Sequence, residues 1–359
     1  MIPRSLIRYA AAVAAAAAGL ALATDAAALS RTFVASFGVD SNPCSLPQPC
    51  RGFTVALAAT DPGGEIVVLD SAGYGAVTIA KSVSITVPAG IYAGISVLAG
   101  DGITVNAAGI NVALTNLTIN GQGGRDGIRF VQGARLNVVG CHIASMDRNG
   151  VRVEGAGTVL VERSAIRGSA QEGVYVGAAA NVTIVRSRIQ SSGGNGVAMT
   201  GGAVGTVART LVTDNGLFGV TASQSVAGTT RIAVDDSIVA DNDAGAGIYA
   251  EGTAASAVAH IDVADTLVTR NFQGLYAFSL GGGTAMMSAT GNDVVENLQV
   301  GVTTVAAGGT TTFRTSQNAV FRNPVAGLLQ SSGSLYTNKN YVRDNDGGDS
   351  FGAQSDSTL

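Results

Sequence analysis

From residue 127 onward the chain repeats one short pattern: a glycine, then an apolar, a variable and an apolar position. It reads Gly127-Ile128-Arg129-Phe130, Gly150-Val151-Arg152-Val153, Gly173-Val174-Tyr175-Val176, Gly196-Val197-Ala198-Met199 and Gly219-Val220-Thr221-Ala222, and continues at Gly247, Gly274, Gly301 and Gly327. Successive glycines stand 23, 23, 23, 23, 28, 27, 27 and 26 residues apart. A solenoid must return to the same angular position on every turn, whereas an ordinary folded sheet has no reason to keep such a period. Between the glycines, runs such as Val159-x-Val161-x-x-Ser164-x-Ile166 and Thr183 to Ile189 alternate with period two, the mark of strands with one buried face. Each period therefore predicts about three short strands, stacked in parallel on the next turn at ~4.8 Å. The six-residue beat of a left-handed hexapeptide helix and the leucine ladder of a leucine-rich repeat are both missing.

This metre resembles the right-handed parallel β-helix of the pectin-lyase-like superfamily. The expected fold class is all-β, a right-handed parallel β-helix solenoid of about eleven coils over residues 64–346. Glu65 to Leu69, Val77 to Ile79, Val83 to Val87 and Val112 to Ile119 read as its first, less regular coils. An uncovered first coil would invite edge pairing, and Arg51 to Thr60 reads as a short helix that caps it within a segment spanning residues 29–63. Similar N-terminal caps occur in the superfamily. Residues 347–359 read as a polar tail.

Composition narrows the setting. With Lys+Arg 21 against Asp+Glu 25, the net charge of −4 offers no broad basic surface for nucleic acid. Glycine at 49 of 359 residues and only 13% charged residues exclude both coiled coil and disorder. Arg4 and Arg8 precede an apolar run from Ala10 to Leu22, and Ala21-Leu22-Ala23 offers small residues for cleavage, so residues 1–28 read as a signal peptide. Export to the periplasm or medium, with no membrane association after cleavage, is the expectation. It permits a disulfide between Cys44 and Cys50, which lie in a short loop stiffened by three prolines. No Cys or His cluster completes a metal site there.

Aligned coils place Leu117, Cys141, Ser164, Ser187, Thr210, Ser237 and Thr266 in one column of small, inward-leaning residues, where Cys141 reads as a packed, unreactive thiol. Asn215, Asn242, Asn271, Asn297, Asn323 and Asn345 form another, expected to bond from coil to coil and to tolerate left-handed backbone. Before each stands a charged residue, Asp214, Asp241, Arg270, Glu296, Arg322 or Asp344, whose signs partly alternate. A third column, Arg163, Arg186, Arg209, Asp236 and Asp265, begins with three like charges that repel by roughly 1 kcal/mol per neighbour in water. It is either exposed scaffold or a track for an anion.

The outward position of the Gly strand carries Arg129, Arg152, Tyr175, Ala198, Thr221, Tyr249, Tyr276, Thr303 and Leu329. In polysaccharide-binding members of the superfamily this strand lines the groove, so the resemblance puts a ligand on Arg129, Arg152, Tyr175, Tyr249 and Tyr276. Arginine forks bind carboxylate or sulfate and tyrosine stacks on sugar rings, which fits an acidic polysaccharide or cell-surface glycan. Asp126, Asp147 and Arg148, from adjacent turns, are the candidate catalytic cluster, because lyases need a base beside a neutralised uronate and hydrolases need two facing carboxylates. Asp235-Asp236 resembles the paired aspartates of polygalacturonases, but the Gly-His-Gly and Arg-x-Lys companions are missing. His142 and His260 are expected on the surface. The reading is an exported, noncatalytic scaffold that binds glycan along the Gly-strand face. The alternatives are a lyase, hydrolase or epimerase of acidic polysaccharide, or an adhesin displaying the loops Ala222–Thr230 and Glu251–Ala259. No cofactor is evident, and a divalent cation such as calcium belongs only to the lyase alternative.

Overall fold

The computed structural model describes residues 29–242 and 244–355, so the expected signal peptide lies outside the described residues. They form a parallel β-solenoid of about eleven turns with one short helix. Each full turn contributes a strand to three sheets. The first sheet has 14 strands, from β1 (Leu29–Val34) to the strand at Gln354–Ser355. The Gly-strand sheet has 12, from Val77–Ile79 to Ser350–Phe351, and the third sheet has 12, from Ala72–Gly73 to Tyr341–Arg343. The expected columns are real columns: Ile128 pairs with Val151, Val151 with Val174 and Val174 with Val197, and all four side chains are buried.

The interior fills by size matching between sheets. Met199 occupies a core position of the Gly strand, and a Cβ on Gly205, in the following strand of the first sheet, would lie 2.2 Å from its sulfur. Phe130 is likewise accommodated by Gly133 and Gly157, where added Cβ atoms would sit 2.7 and 2.9 Å from its ring. Dense packing leaves no room for a methyl group at such points.

The two short turns of each coil share one design. A single residue adopts left-handed backbone and the next turns its side chain inward, where in most coils it bonds along the stack; Met146 is apolar there, and the buried hydroxyls of Ser169 and Ser192 have no partner. In the turn between the first and third sheets the left-handed positions include Gly140, Arg163 (φ 47°), Arg186 (φ 50°), Arg209 (φ 50°), Asp236 (φ 44°), Asp265 (φ 46°), Gly291 and Gln317 (φ 57°). For a non-glycine residue this conformation costs about 1–2 kcal/mol. The ladder beneath holds it: the backbone N–H of Ser164 donates to Ser187 Oγ (3.2 Å), that of Ser187 to Thr210 Oγ1 (3.3 Å), and that of Thr210 to Ser237 Oγ (3.2 Å). This ladder runs beyond Thr266 as asparagines, with Thr266 N–H donating to Asn292 Oδ1 and Asn292 N–H to Asn318 Oδ1.

In the turn before the Gly strand, Asn215 N–H donates to Asn242 Oδ1 (3.2 Å), Asn242 to Asn271 (3.2 Å) and Asn271 to Asn297 (3.1 Å). One expectation is corrected here. The asparagines are not left-handed; the charged residues before them are, including Asp214, Asp241, Arg270 and Glu296. An inward amide needs ordinary backbone to reach the next coil, so the turn falls on its exposed neighbour. Charge compensation follows, with Arg270 donating to both carboxylate oxygens of Asp241 at 2.7 Å and Arg322 to Glu296 at 3.0 Å.

At the N-terminal end, β1 pairs in parallel with β2 (Thr60–Val68), and α1 (Phe53–Ala59) packs Phe53, Ala56 and Leu57 inward. Cys44 and Cys50 form a disulfide, with Cα atoms 4.6 Å apart. Residues 350–355, read from sequence as part of a polar tail, instead add short strands to the Gly-strand and first sheets. Ser350 and Phe351 pair with Leu328 and Leu329, so backbone pairing overrides their polar surroundings. Cys141 is fully buried, and burial pushes its thiol up to about 11, which keeps it protonated and inert.

Candidate functional site

The outward column of the Gly-strand sheet has the expected order. Arg129 pairs with Arg152, Arg152 with Tyr175, Tyr175 with Ala198, Thr221 with Tyr249 and Tyr249 with Tyr276. Parallel pairing fixes these residues one coil apart, about 4.8 Å. They divide into an ionic end and an aromatic end, separated by the small residues Ala198 and Thr221.

At the ionic end Glu154 bridges two arginines. Arg129 Nε donates to its Oε2 at 2.8 Å and Arg152 Nε to its Oε1 at 2.6 Å, while Arg129 Nη1 reaches Asp101 at 3.4 Å. Partial burial pushes the Glu154 carboxyl up, but the two arginine hydrogen bonds outweigh it and hold the group below its usual range. The Glu154 hydrogen bond in turn raises Arg129. Arg129 is therefore engaged within the protein. Arg152 lies with its guanidinium carbon 5.4 Å from the Tyr175 ring centroid.

Beside Arg152 and Tyr175 opens a recess of about 540 Å³, walled by Arg148, Arg152, Glu172 and Tyr175 over Gly193 and Gly194. Burial raises the Glu172 carboxyl above its usual range, although its own backbone N–H, the Asn195 amide and the charges of Arg152 and Arg148 all pull it down. The recess thus combines two arginines, a phenol and a carboxyl group whose pKa burial raises.

The aromatic end is a run of packed rings. Phe218 stacks on Tyr249 with centroids 4.2 Å apart at 12°, Tyr249 meets Tyr276 at 5.1 Å, and Tyr276 meets Phe278 at 6.2 Å. Tyr249 is only 7% exposed, so it supports the rings on either side more than it offers a face of its own. Its hydroxyl donates to Glu251 Oε1 at 3.2 Å, and Ser223 donates to Oε2 at 2.9 Å. Burial, then the Glu251 charge, raises both tyrosines, so they stay neutral hydrogen-bond donors.

The candidate catalytic residues do not assemble. Asp126 is fully buried, and its Oδ1 accepts from the Asn149 backbone (3.1 Å) and amide (2.8 Å), while its Oδ2 is buried without a partner. Asp147 is exposed, and only Arg148 reaches the recess. Asp126 stands just before the glycine and turns inward to bond to Asn149, the buried residue at the same position one coil on. Asp236 lines a different turn, His142 is exposed, and His260 lies 3.0 Å from Asp262 on the first sheet. Among the described residues no group of three or more His, Cys, Asp or Glu side chains is placed to hold a metal ion.

Sequence reasoning missed Glu154 as the bridge and Phe218 and Phe278 as members of the aromatic run. Phe278 is two positions beyond Tyr276 on the same outward face, so its signal was the period-two alternation, whereas Phe218 lies in the turn directly before Gly219 and no strand offset pointed to it.

Residues 126–299 match the family model described as a right handed beta helix region. Among solved structures the chain is similar to the A-module of the mannuronan C-5 epimerase AlgE4 from Azotobacter vinelandii, with 14% identity and a TM-score of 0.64 over 82% of this chain and 91% of that one. It is similar to the catalytic unit of a GH87 alpha-1,3-glucanase from Streptomyces thermodiastaticus, with 17% identity and a TM-score of 0.55 over 85% and 66%. An alginate lyase from Paenibacillus shares 15% identity with a TM-score of 0.50 over 86% and 99%. At these identities the likeness is one of fold. No curated protein matches the chain by sequence.

Proposed function

Because the chain is a right-handed parallel β-helix repeat protein, we propose that it is an exported scaffold whose Gly-strand face binds an acidic polysaccharide without cleaving it. The recess carries this reading: Arg148 and Arg152 can take a carboxylate in fork geometry while Tyr175 presents a ring to the sugar beside it. The aromatic run then continues the same line along the coil axis. Two of the proteins it resembles are named for mannuronan and alginate, both uronate polymers, which supports the choice of ligand class. The Cys44–Cys50 disulfide fits an oxidising compartment, and among the described residues no helix is long and apolar enough to cross a membrane.

Calorimetric binding of oligouronates is the direct test. The Arg148→Ala/Tyr175→Ala variant is expected to bind about tenfold more weakly, or about 1.4 kcal/mol, and rising salt is expected to weaken the unmodified protein. Unchanged affinity in the variant removes the recess from the binding face.

One observation favours an enzymatic second reading. Glu172 is a carboxyl group with a raised pKa beside two arginines and a phenol, a setting suited to proton transfer next to a neutralised uronate. A carboxyl group whose folded pKa lies above its unfolded value opposes folding once pH rises past the folded pKa, and stability is regained as pH falls toward the unfolded value. Glu172→Gln is therefore expected to raise the melting temperature at neutral pH and to leave it little changed in acid. Release of unsaturated ends from polyuronate, lost in the same variant, would establish the lyase reading over the binding one.

A further inference from the structure

The turn between the first and third sheets, on a different side of the coil from the Gly-strand face, stacks Arg163, Arg186 and Arg209 one above another in successive coils. Their register is fixed by backbone hydrogen bonds from Arg163 N–H to Val185 O and from Arg186 N–H to Ala208 O, both 3.1 Å. Like charges then repeat at about 4.8 Å. All three line an open concavity of about 630 Å³ together with Arg188, over the buried side chains of Ser187 and Thr210. Arg167, two residues beyond Ala165 in the wall, is exposed on the same strand.

Nothing in the fold asks for arginine there. Every residue at this position sits in left-handed backbone, which glycine adopts without strain, and the same turn carries Gly140 and Gly291 elsewhere in the stack. The molecule also solves the same stacking problem differently one turn further round. There, from Asp241 on, the left-handed residues alternate in sign and pair across coils, as Asp241 with Arg270 and Glu296 with Arg322. At the arginine turn only Glu162 intervenes, 3.1 Å from Arg186 and 3.7 Å from Arg163. Among the described residues Arg167, Arg188 and Arg209 have no carboxylate partner within 4 Å, although Asp236 closes one end of the concavity.

We propose that this arginine column is a second binding site, for a linear acidic polysaccharide lying along the coil axis with its carboxylate or sulfate groups on successive arginines. Guanidinium forks suit either group. A nucleic acid is the poorer fit, because the concavity has no aromatic wall on which bases could stack: beyond the arginines it is lined by Ser, Thr, Ala, Leu and Ile side chains and by Asp236. The site stands whether or not the Gly-strand face binds glycan.

The test uses the full chain carrying Arg148→Ala/Tyr175→Ala, so that the recess is weakened equally in both proteins compared and the difference reads the arginine column. Its binding to sulfated dextran oligomers and to oligogalacturonate is compared, by calorimetry at low salt, with that of the same protein carrying Arg163→Gly, Arg186→Gly and Arg209→Gly in addition. The expected result is at least about a tenfold loss for one or both ligands, with the arm that loses more naming the preferred acid group. Glycine is native to this turn, so the melting temperature should not fall. If the glycine variant does not fold, glutamine at the three positions, as at Gln317, gives the neutral comparison. Equal affinity with and without the arginines overturns the site. Tighter binding of a single-stranded oligonucleotide or of anionic lipid vesicles than of either glycan overturns the choice of ligand.

Discussion

Gly219→Ala is expected to destabilise the solenoid by about 3 kcal/mol, the upper part of the range for overpacking a closed interior. A Cβ at Gly219 would lie 2.4 Å from Val239 Cγ1, 2.6 Å from the Gly247 carbonyl oxygen and 2.8 Å from the Asn242 amide nitrogen. The backbone there is ordinary, so the demand for glycine comes from the close approach of the next coil and not from a left-handed turn. The neighbours cannot yield separately, because the carbonyl belongs to a strand and the amide to the asparagine ladder. Gly73→Ala provides the comparison: its Cβ would meet only the Gly94 carbonyl at 3.8 Å, an ordinary contact, and the expected change is near zero. Urea denaturation followed by far-UV circular dichroism separates the two. Equal midpoints would mean that the coils spread freely and that the glycine period has another cause.

Asn271→Ala is expected to cost about 4 kcal/mol, because it leaves several buried groups unpartnered at once. The Asn271 side chain is fully buried. Its Oδ1 accepts from the Asn242 backbone N–H at 3.2 Å and from the Asn242 amide at 2.7 Å, and its Nδ2 donates to Val239 O and Asn297 Oδ1, both at 3.1 Å. Each orphaned buried donor or acceptor costs about 1–3 kcal/mol, and water has no route into a stacked turn without parting the coils. The exposed Asn181, in a strand of the first sheet, should tolerate alanine within about 0.5 kcal/mol. A loss of under 1 kcal/mol at Asn271 would show that the ladder decorates the stack without holding it.

The period was legible because one physical event recurs on most coils, the meeting of a glycine with the next glycine's carbonyl. It extends one coil earlier than the sequence reading began: Gly102-Ile103-Thr104-Val105 has the same pattern, and a Cβ at Gly102 would lie 2.6 Å from the Gly127 carbonyl. The columns followed from the period, since parallel in-register pairing carries sequence offset directly into space. What stayed hidden depends on side-chain direction. Asp126 and Asp147 are near in offset, yet one turns into the ladder and the other into solvent, and an offset cannot distinguish these. Arg129 and Arg152 look equivalent in the column, but Glu154 and Asp101 together engage the first, while the second keeps part of its fork for the recess. The small-residue column was followed only to Thr266, because its later members change from hydroxyl to amide while doing the same work.

The coils from Gly127 to Gly219 share a length of 23 residues and touch mainly their immediate neighbours. A segment such as residues 151–173 can therefore be excised or copied in tandem, and Gly150 still meets a glycine carbonyl. Overall reach thus changes by whole rungs, each adding or removing one outward side chain and one turn residue, while the interior is left as it was. Under the proposed polysaccharide binding, counting rungs is a way to tune avidity without redesigning any single contact.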